Sequence, residues 1–589
     1  MSQTEVAIMA TSAPALPVED PPIAPGRRGA GLPFALDAAL TLSVWVAGAA
    51  MFFRQQLGSG FDKMMGNDGD ARLAIYICEH WFGVMHGRSS WLSPHFFHPV
   101  KGLLGWSDTF LLYEVFYAPF RELGCDPFLA MQLTIVALSL VGFVSFVCLV
   151  RVALGAPRLI ALAGALVFTF ANDLFLHAGS FQFSGIYFVP LVLLLGALAF
   201  RSRSARPTRS LLLGGSCGLL AALLFLSTYY ISWFAALAGA VALVVLVVCG
   251  RGRRTVRAAG ESLRALVGAG VGFALGIVPF LIVYWPTRGH HLTYAQIIGY
   301  GGRMRDVVNV GGGNLVWSRL LQHFDPSMVV ASEVSYAVTP FVMLLVVAGG
   351  LAGLRLLVTR SAAGEARAVT AVVLAVTAVV LCVLPLRTRF ATPWAFIWHL
   401  PGATPIRAID RLELVTSLVA ALVIVASATE VAAKVRTAKL RGARHTALLR
   451  VAVTAVLAFA VIEQVNTTPV SQVNRPQQVA LLRWVRSPGP RCRSFYVTDA
   501  SRANGPFFEY QIDAMLISQE LGIPTLNGYT AYNPAGWNLE NPGDPAYPMY
   551  VASWVAANGI GDGVCGLDLG TMKWSPGLPG TTASTAAAG

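Results

Sequence analysis

A chain of 589 residues that is 55% hydrophobic and only 12% charged, with a mean hydropathy of +0.61, has too little polar surface to coat itself as a water-soluble protein. Its formal charge of +13 sits in short basic clusters between apolar runs. That pattern lacks the single basic patch of a nucleic-acid binder and reads as membrane topology, so the expected fold is a polytopic α-helical membrane protein.

Residues 1–33 are rich in Pro and Ala and end in Arg27 and Arg28. They read as a disordered cytoplasmic leader, without the short apolar core and small-residue cleavage site of a signal peptide. A span needs about 20 mainly apolar residues to cross about 30 Å of hydrocarbon. About eleven segments qualify: 34–53, 128–150, 157–172, 185–200, 211–227, 229–250, 262–285, 336–358, 368–386, 411–432 and 447–466. Together they make a transmembrane domain over 34–466. The short connections at 151–158, 201–209, 251–264, 355–367 and 434–450 carry clustered arginines, which places them and the N-terminus in the cytoplasm and the C-terminus outside. Counting the apolar stretch 107–122 as a further span would invert that order. It is expected instead as an interfacial helix, aromatics on one side and Glu114 on the other.

The outer side then holds a first loop at 54–127, shorter loops at 173–184 and 387–410, a long one at 286–335, and everything after about 467. Turn-rich residues 467–575 predict a small extracytoplasmic C-terminal α/β or loop-rich domain, followed by a low-complexity tail at 576–589 that reads as disordered. Cys492 and Cys565 lie in that domain and could pair outside the cytoplasm; the other six cysteines read as small apolar fillers.

Polar chemistry is densest in the first loop, which carries Asp68, Asp70, Arg72, Glu79, His80, His86, His95, His98 and Asp108 among many aromatics. The histidines lack the repeated His-x3-His spacing of a helical metal site. Four arginines, Arg387, Arg389, Arg407 and Arg411, gather in one outer loop and the helix start after it, against the positive-inside bias, with Arg303 and Arg305 as a second pair. In the C-terminal domain, "NGYTAYNPAGW" offers Tyr529, Tyr532 and Trp537 for stacking on sugar faces and Asn527 and Asn533 for hydroxyls, although aromatics of a small domain commonly form its core. Ser227, Thr228, Tyr229 and Tyr230 read as an aromatic anchor at an outer turn.

The layout, with "GNDGDAR" at 66–72, "AND" at 171–173 and "LPGATPIRAIDRLELV" at 400–415, resembles the GT-C superfamily of polytopic membrane glycosyltransferases, in an uncharacterised bacterial branch. The resemblance implies a GT-C-like fold in the bacterial inner membrane. Its implied partners are a polyprenyl-phosphate-linked sugar, membrane lipid, and an envelope glycan, lipid or protein acceptor. It implies Asp70, with Asp68 beside it, as the base that takes the acceptor proton, and Asp173 as a second acidic position. Arg387, Arg389, Arg407 and Arg411 would hold the phosphate leaving group. No cofactor is required by the resemblance; Asp68-Gly69-Asp70 also looks like the carboxylate pair that holds a divalent metal in nucleotide-sugar enzymes, which leaves a metal open. The other class of reading is a non-catalytic membrane carrier or a scaffold for polysaccharide assembly, and a carrier would place ionisable residues within its spans.

Overall fold

The computed structural model describes residues 34–289, 292–326, 338–359, 365–389, 391–437, 443–470, 473–488, 491–498 and 506–578. The leader and most of the tail lie outside the described residues. The chain forms two compact units, one ending at Val44 and one running from Trp45 onward. The described part of the first is the opening half of the apolar helix Phe34–Phe52.

Among the described residues, ten helices are long and apolar enough to cross a membrane: Phe34–Phe52, Pro127–Ala153, Arg158–Leu176, Phe181–Arg201, Pro207–Ser227, Tyr229–Glu261, Leu263–Thr287, Pro340–Val358, Glu365–Val383 and Ile409–Val435. A shorter apolar helix, Thr446–Ile462, matches the eleventh expected segment. The chain is a multi-pass helical membrane protein. At the start of one span a side chain replaces lost backbone partners. Pro127 stands at the first helical position of Pro127–Ala153, and Asp126 before it accepts from the backbone N–H groups of Phe128 and Leu129. Arg475 clamps the same aspartate at 2.7 Å.

Lipid tails are as apolar as leucine, so helices in a bilayer associate through close packing. Pro207–Ser227 and Leu263–Tyr284 show this through Gly214 and Gly218 on one helix and Gly268, Gly272 and Gly276 on the other. A Cβ at Gly218 would lie 1.9 Å from the Ala269 carbonyl oxygen. Gly218→Leu is therefore expected to destabilise the protein by about 3 kcal/mol or more. Gly239→Leu, where an added Cβ meets no atom within 4 Å, is expected to change nothing. Thermal unfolding in detergent compares the two.

The arginine-rich connections gather at one end of the helices. Arg203 pairs with Glu261 at 3.4 Å, Arg251 with Glu365 at 2.5 Å and Arg367 with Glu430 at 2.8 Å. Residues 107–122 form a short 3-10 turn and the helix Glu114–Glu122, whose nine residues are too few to span. The expected facing of that helix is corrected. Glu114 is 6% exposed and lies on the covered side with Tyr113 and Tyr117, whereas Val115 is 64% exposed. The polar side turns inward because Glu79 accepts hydrogen bonds from Tyr117 (2.6 Å) and Arg121 (2.5 Å). Burial and the neighbouring Glu79 push the Glu114 carboxyl up to about 9, so it is neutral at pH 7.

After the last span the chain builds a three-stranded sheet. Ser494–Thr498 pairs parallel with Val564–Asp568, which pairs antiparallel with Lys573–Pro576. A parallel pair needs a long crossover, and the segment carrying helices Phe507–Leu521 and Tyr547–Asn558 supplies it. Cys492 and Cys565 form a disulfide at the sheet, with Cα atoms 5.6 Å apart. This α/β region is joined to the first loop at many points. Arg72 and Asp513 form a buried ion pair. Phe97 N–H donates to Asn527 O (3.0 Å), Trp554 Nε1 to His98 O (2.9 Å) and Gln519 Nε2 to Glu79 O (3.0 Å).

Candidate active site

Asp70 opens the helix Asp70–Met85, and the turn before it is held from both sides. Asn67 accepts from Ala71 N–H through Oδ1 (3.1 Å) and donates its own N–H to Gly179 O (3.1 Å). Gly66 adopts φ +122°, and a Cβ there would come within 2.5 Å of the Ala71 Cβ, so the bend that aims Asp70 requires glycine. The Asp70 carboxylate is half-buried, and its Oδ2 accepts from Ser180 Oγ (2.8 Å) and Gln182 Nε2 (3.4 Å).

Asp108, from the far end of the first loop, is the second carboxylate here. Its Oδ1 accepts from Tyr229 N–H at 2.8 Å. Burial and the Asp70 charge push its carboxyl up to about 6, against the lowering effects of that N–H and of Arg411. Arg411 completes the group, its guanidinium carbon 4.6 Å above the Phe183 ring. Since Asp108 faces Arg411 and attracts it only when ionised, activity that depends on this group is expected to climb as pH rises through about 6. Asp108→Asn is expected to abolish that limb; a pH profile of kcat/KM for both proteins is the check.

Asp173 lies one layer deeper and is fully buried. Its Oδ2 accepts from Ser417 Oγ (2.6 Å) and its Oδ1 from Leu174 N–H (2.8 Å). The His177 ring is 3.0 Å from the Asp173 carbonyl oxygen and 3.4 Å from Glu413 Oε1. Burial and the nearby Arg411 push His177 down to about 4, which keeps it neutral at pH 7. Asp173 thus braces the start of the helix that carries Arg411.

The remaining expected residues separate. Asp68 faces the Arg72–Asp513 pair, and burial, ahead of the opposing effect of Arg72, raises its carboxyl. Arg407 donates its backbone N–H to Tyr230 Oη (2.8 Å) and lays its guanidinium 5.1 Å from the Tyr300 ring centre. Arg387 donates to Ile298 O (3.1 Å), and Arg389 is exposed beside it. Arg303 and Arg305 flank Asp306. Tyr529 comes close to the aspartate loop: its hydroxyl would lie 3.7 Å from a Cβ on Gly69. Trp537 is 4% exposed, donates to Leu526 O (2.9 Å) and packs on Phe97, so only its edge reaches a surface. Tyr229 and Tyr230 do more than anchor the interface. Tyr229 Oη donates to Gly402 O (2.7 Å), so the pair ties Asp108 to the arginine loop. Among the described residues no group of three His, Cys, Asp or Glu side chains converges as a metal site would require. Asp108, Ser180, Gln182 and His177 were given no role from the sequence, and only Asp108 carried a signal, as an acid in the densest polar stretch.

No protein-family model matches this chain, and no curated protein sequence matches it. Among solved structures it is similar to arabinofuranosyltransferase AftD from mycobacteria, at 14% identity and a TM-score of 0.45, over 84% of this chain and 32% of that one. It is also similar to the oligosaccharyltransferase AglB from Archaeoglobus fulgidus, solved with an inhibitory peptide and a dolichol-phosphate, at 11% identity and a TM-score of 0.45, over 90% and 70% of the two chains. A third is ArnT from Cupriavidus metallidurans bound to undecaprenyl phosphate, at 14% identity and a TM-score of 0.40, over 83% and 85%. The chain spans about a third of the length of AftD.

Proposed function

We propose that this protein is a GT-C-type membrane glycosyltransferase, moving a sugar from a polyprenyl-phosphate donor to a cell-envelope glycan, lipid or exported protein at the outer face of a bacterial inner membrane. The observation that carries the reading is the half-buried Asp70 carboxylate, oriented by Ser180 and Gln182 and grouped with Asp108 and Arg411 where the spans meet the loops. In this reading Asp70 takes the proton of an acceptor hydroxyl as that oxygen bonds to the anomeric carbon. The bond from that carbon to the donor phosphate oxygen breaks, and its electron pair leaves with the phosphate. Arg411, with Arg407 beside Tyr230, stabilises the departing polyprenyl phosphate. Attack opposite the leaving group inverts the anomeric centre. Asp173 acts through Ser417 and His177 as a positioning residue.

The ionisable groups of Ile409–Val435 support an enzyme over a carrier. Asp410, Arg411 and Glu413 stand at one end and Glu430 and Lys434 at the other, with an uncharged stretch over 414–429. A transmembrane path would place charge at mid-depth. The test is a mass-spectrometric comparison of envelope glycans, lipids and exported proteins from a parent and a deletion strain. Loss of one sugar mass, restored by the wild-type gene, is expected; an unchanged inventory in cells that express the gene contradicts the reading.

A further inference from the structure

The α/β region carries a cleft of about 200 Å³ that the reaction scheme leaves without a role. It is lined by Phe507, Gln511, Tyr529, Tyr532, Asn533 and Glu540, among others. Its floor is fixed: Gln511 accepts from Asn527 Nδ2 (3.0 Å) and Gly528 N–H (3.0 Å) and donates to Glu540 O (2.9 Å). Its walls carry aromatic faces, with Phe507 48% exposed and Tyr529 and Tyr532 part-exposed. Asn533 donates through Nδ2 to the Glu540 carboxylate, so an amide and a carboxylate stand together at the rim.

The residues that line the cleft divide the site by charge. The arginines assigned to the donor phosphate lie with Tyr230, Tyr300 and Phe183, whereas the described residues lining the cleft include no cation and one carboxylate. A phosphate would be repelled there. Aromatic platforms beside an amide and a carboxylate instead suit a neutral sugar, whose C–H faces stack and whose vicinal hydroxyls donate to carboxylate oxygens. One wall of the cleft reaches the aspartate loop, since Tyr529 Oη approaches Gly69, between Asp68 and Asp70.

We propose that this cleft is the acceptor subsite and that it takes a neutral oligosaccharide, whose terminal hydroxyl is presented to Asp70. The proposal rests on the transferase reading above and narrows its acceptor to a glycan. The test uses the full-length protein in lipid nanodiscs on an array of neutral oligosaccharides of gluco, manno, galacto and arabino configuration, with unmodified Ser-, Thr- and Asn-containing peptides on the same surface. Capture by a subset of the oligosaccharides is expected. Tyr532→Ala and Glu540→Lys, each shown by thermal unfolding to keep the wild-type fold, are expected to weaken capture about tenfold. Asn533→Ala serves in place of either variant that fails to fold. Failure of the transferase reading shows as no sugar transfer by the wild-type protein and leaves glycan capture standing, so the two outcomes are read separately. Capture by peptides alone, no capture at all, or glycan capture unchanged in the cleft variants would overturn the proposal.

Discussion

Asp70→Asn is expected to lower sugar transfer roughly a thousandfold, the scale of a lost general base, while leaving the KM for the lipid-linked donor nearly unchanged. The asparagine side chain keeps an oxygen that can accept from Ser180 Oγ, now 2.8 Å from the aspartate, so the local geometry survives and only the proton acceptor is removed. Asp68→Asn separates the two neighbours. Asp68 faces Arg72 and Asp513 and not the Asp108–Arg411 group, so its loss is expected to reduce turnover by less than about tenfold. Steady-state kinetics on the purified variants decide between them, and a larger effect at Asp68 would reassign the base.

Arg72→Ala carries the largest expected cost in stability. Arg72 is 2% exposed and its partner Asp513 is 4% exposed, so removing the guanidinium takes a buried cation away from a buried carboxylate. Losses of this kind are about 3–5 kcal/mol. The pair joins the helix that begins at Asp70 to Phe507–Leu521, so the effect should appear as loosening of the α/β region from the first loop. Limited proteolysis is expected to release residues beyond 473 at lower temperature in Arg72→Ala than in the wild type. An apolar pair, Arg72→Met with Asp513→Leu, is expected to recover much of the loss, because neither position then buries a charge.

The spans were legible because hydrophobic length is a strong and local signal: each expected segment falls on an apolar helix, and all but 229–250, whose helix runs on to Glu261, agree within a few residues. The stretch at 107–122 shows where that signal stops. Its short length was readable, but the inward face of Glu114 depends on Glu79, 35 positions earlier in the chain, and on Arg121. The site was partly legible for the same reason. Asp70 and Arg411 stood out as charges in unusual places, whereas Ser180 and Gln182 sit in the apolar run "GSFQFSG" and acquire meaning only when the fold brings them to Asp70. Trp537 looked like a binding aromatic because sequence gives composition and not facing; packing on Phe97 turned it largely inward.

The most direct measurement is in vitro transfer. Purified protein in nanodiscs is supplied with radiolabelled polyprenyl-phosphate sugars and an envelope extract, and the release of polyprenyl phosphate is followed together with label in the acceptor fraction. The account predicts both products in equal amounts with the wild type and neither above background with Asp70→Asn. Label that crosses the bilayer still attached to its lipid, or transfer that persists in Asp70→Asn, would contradict it.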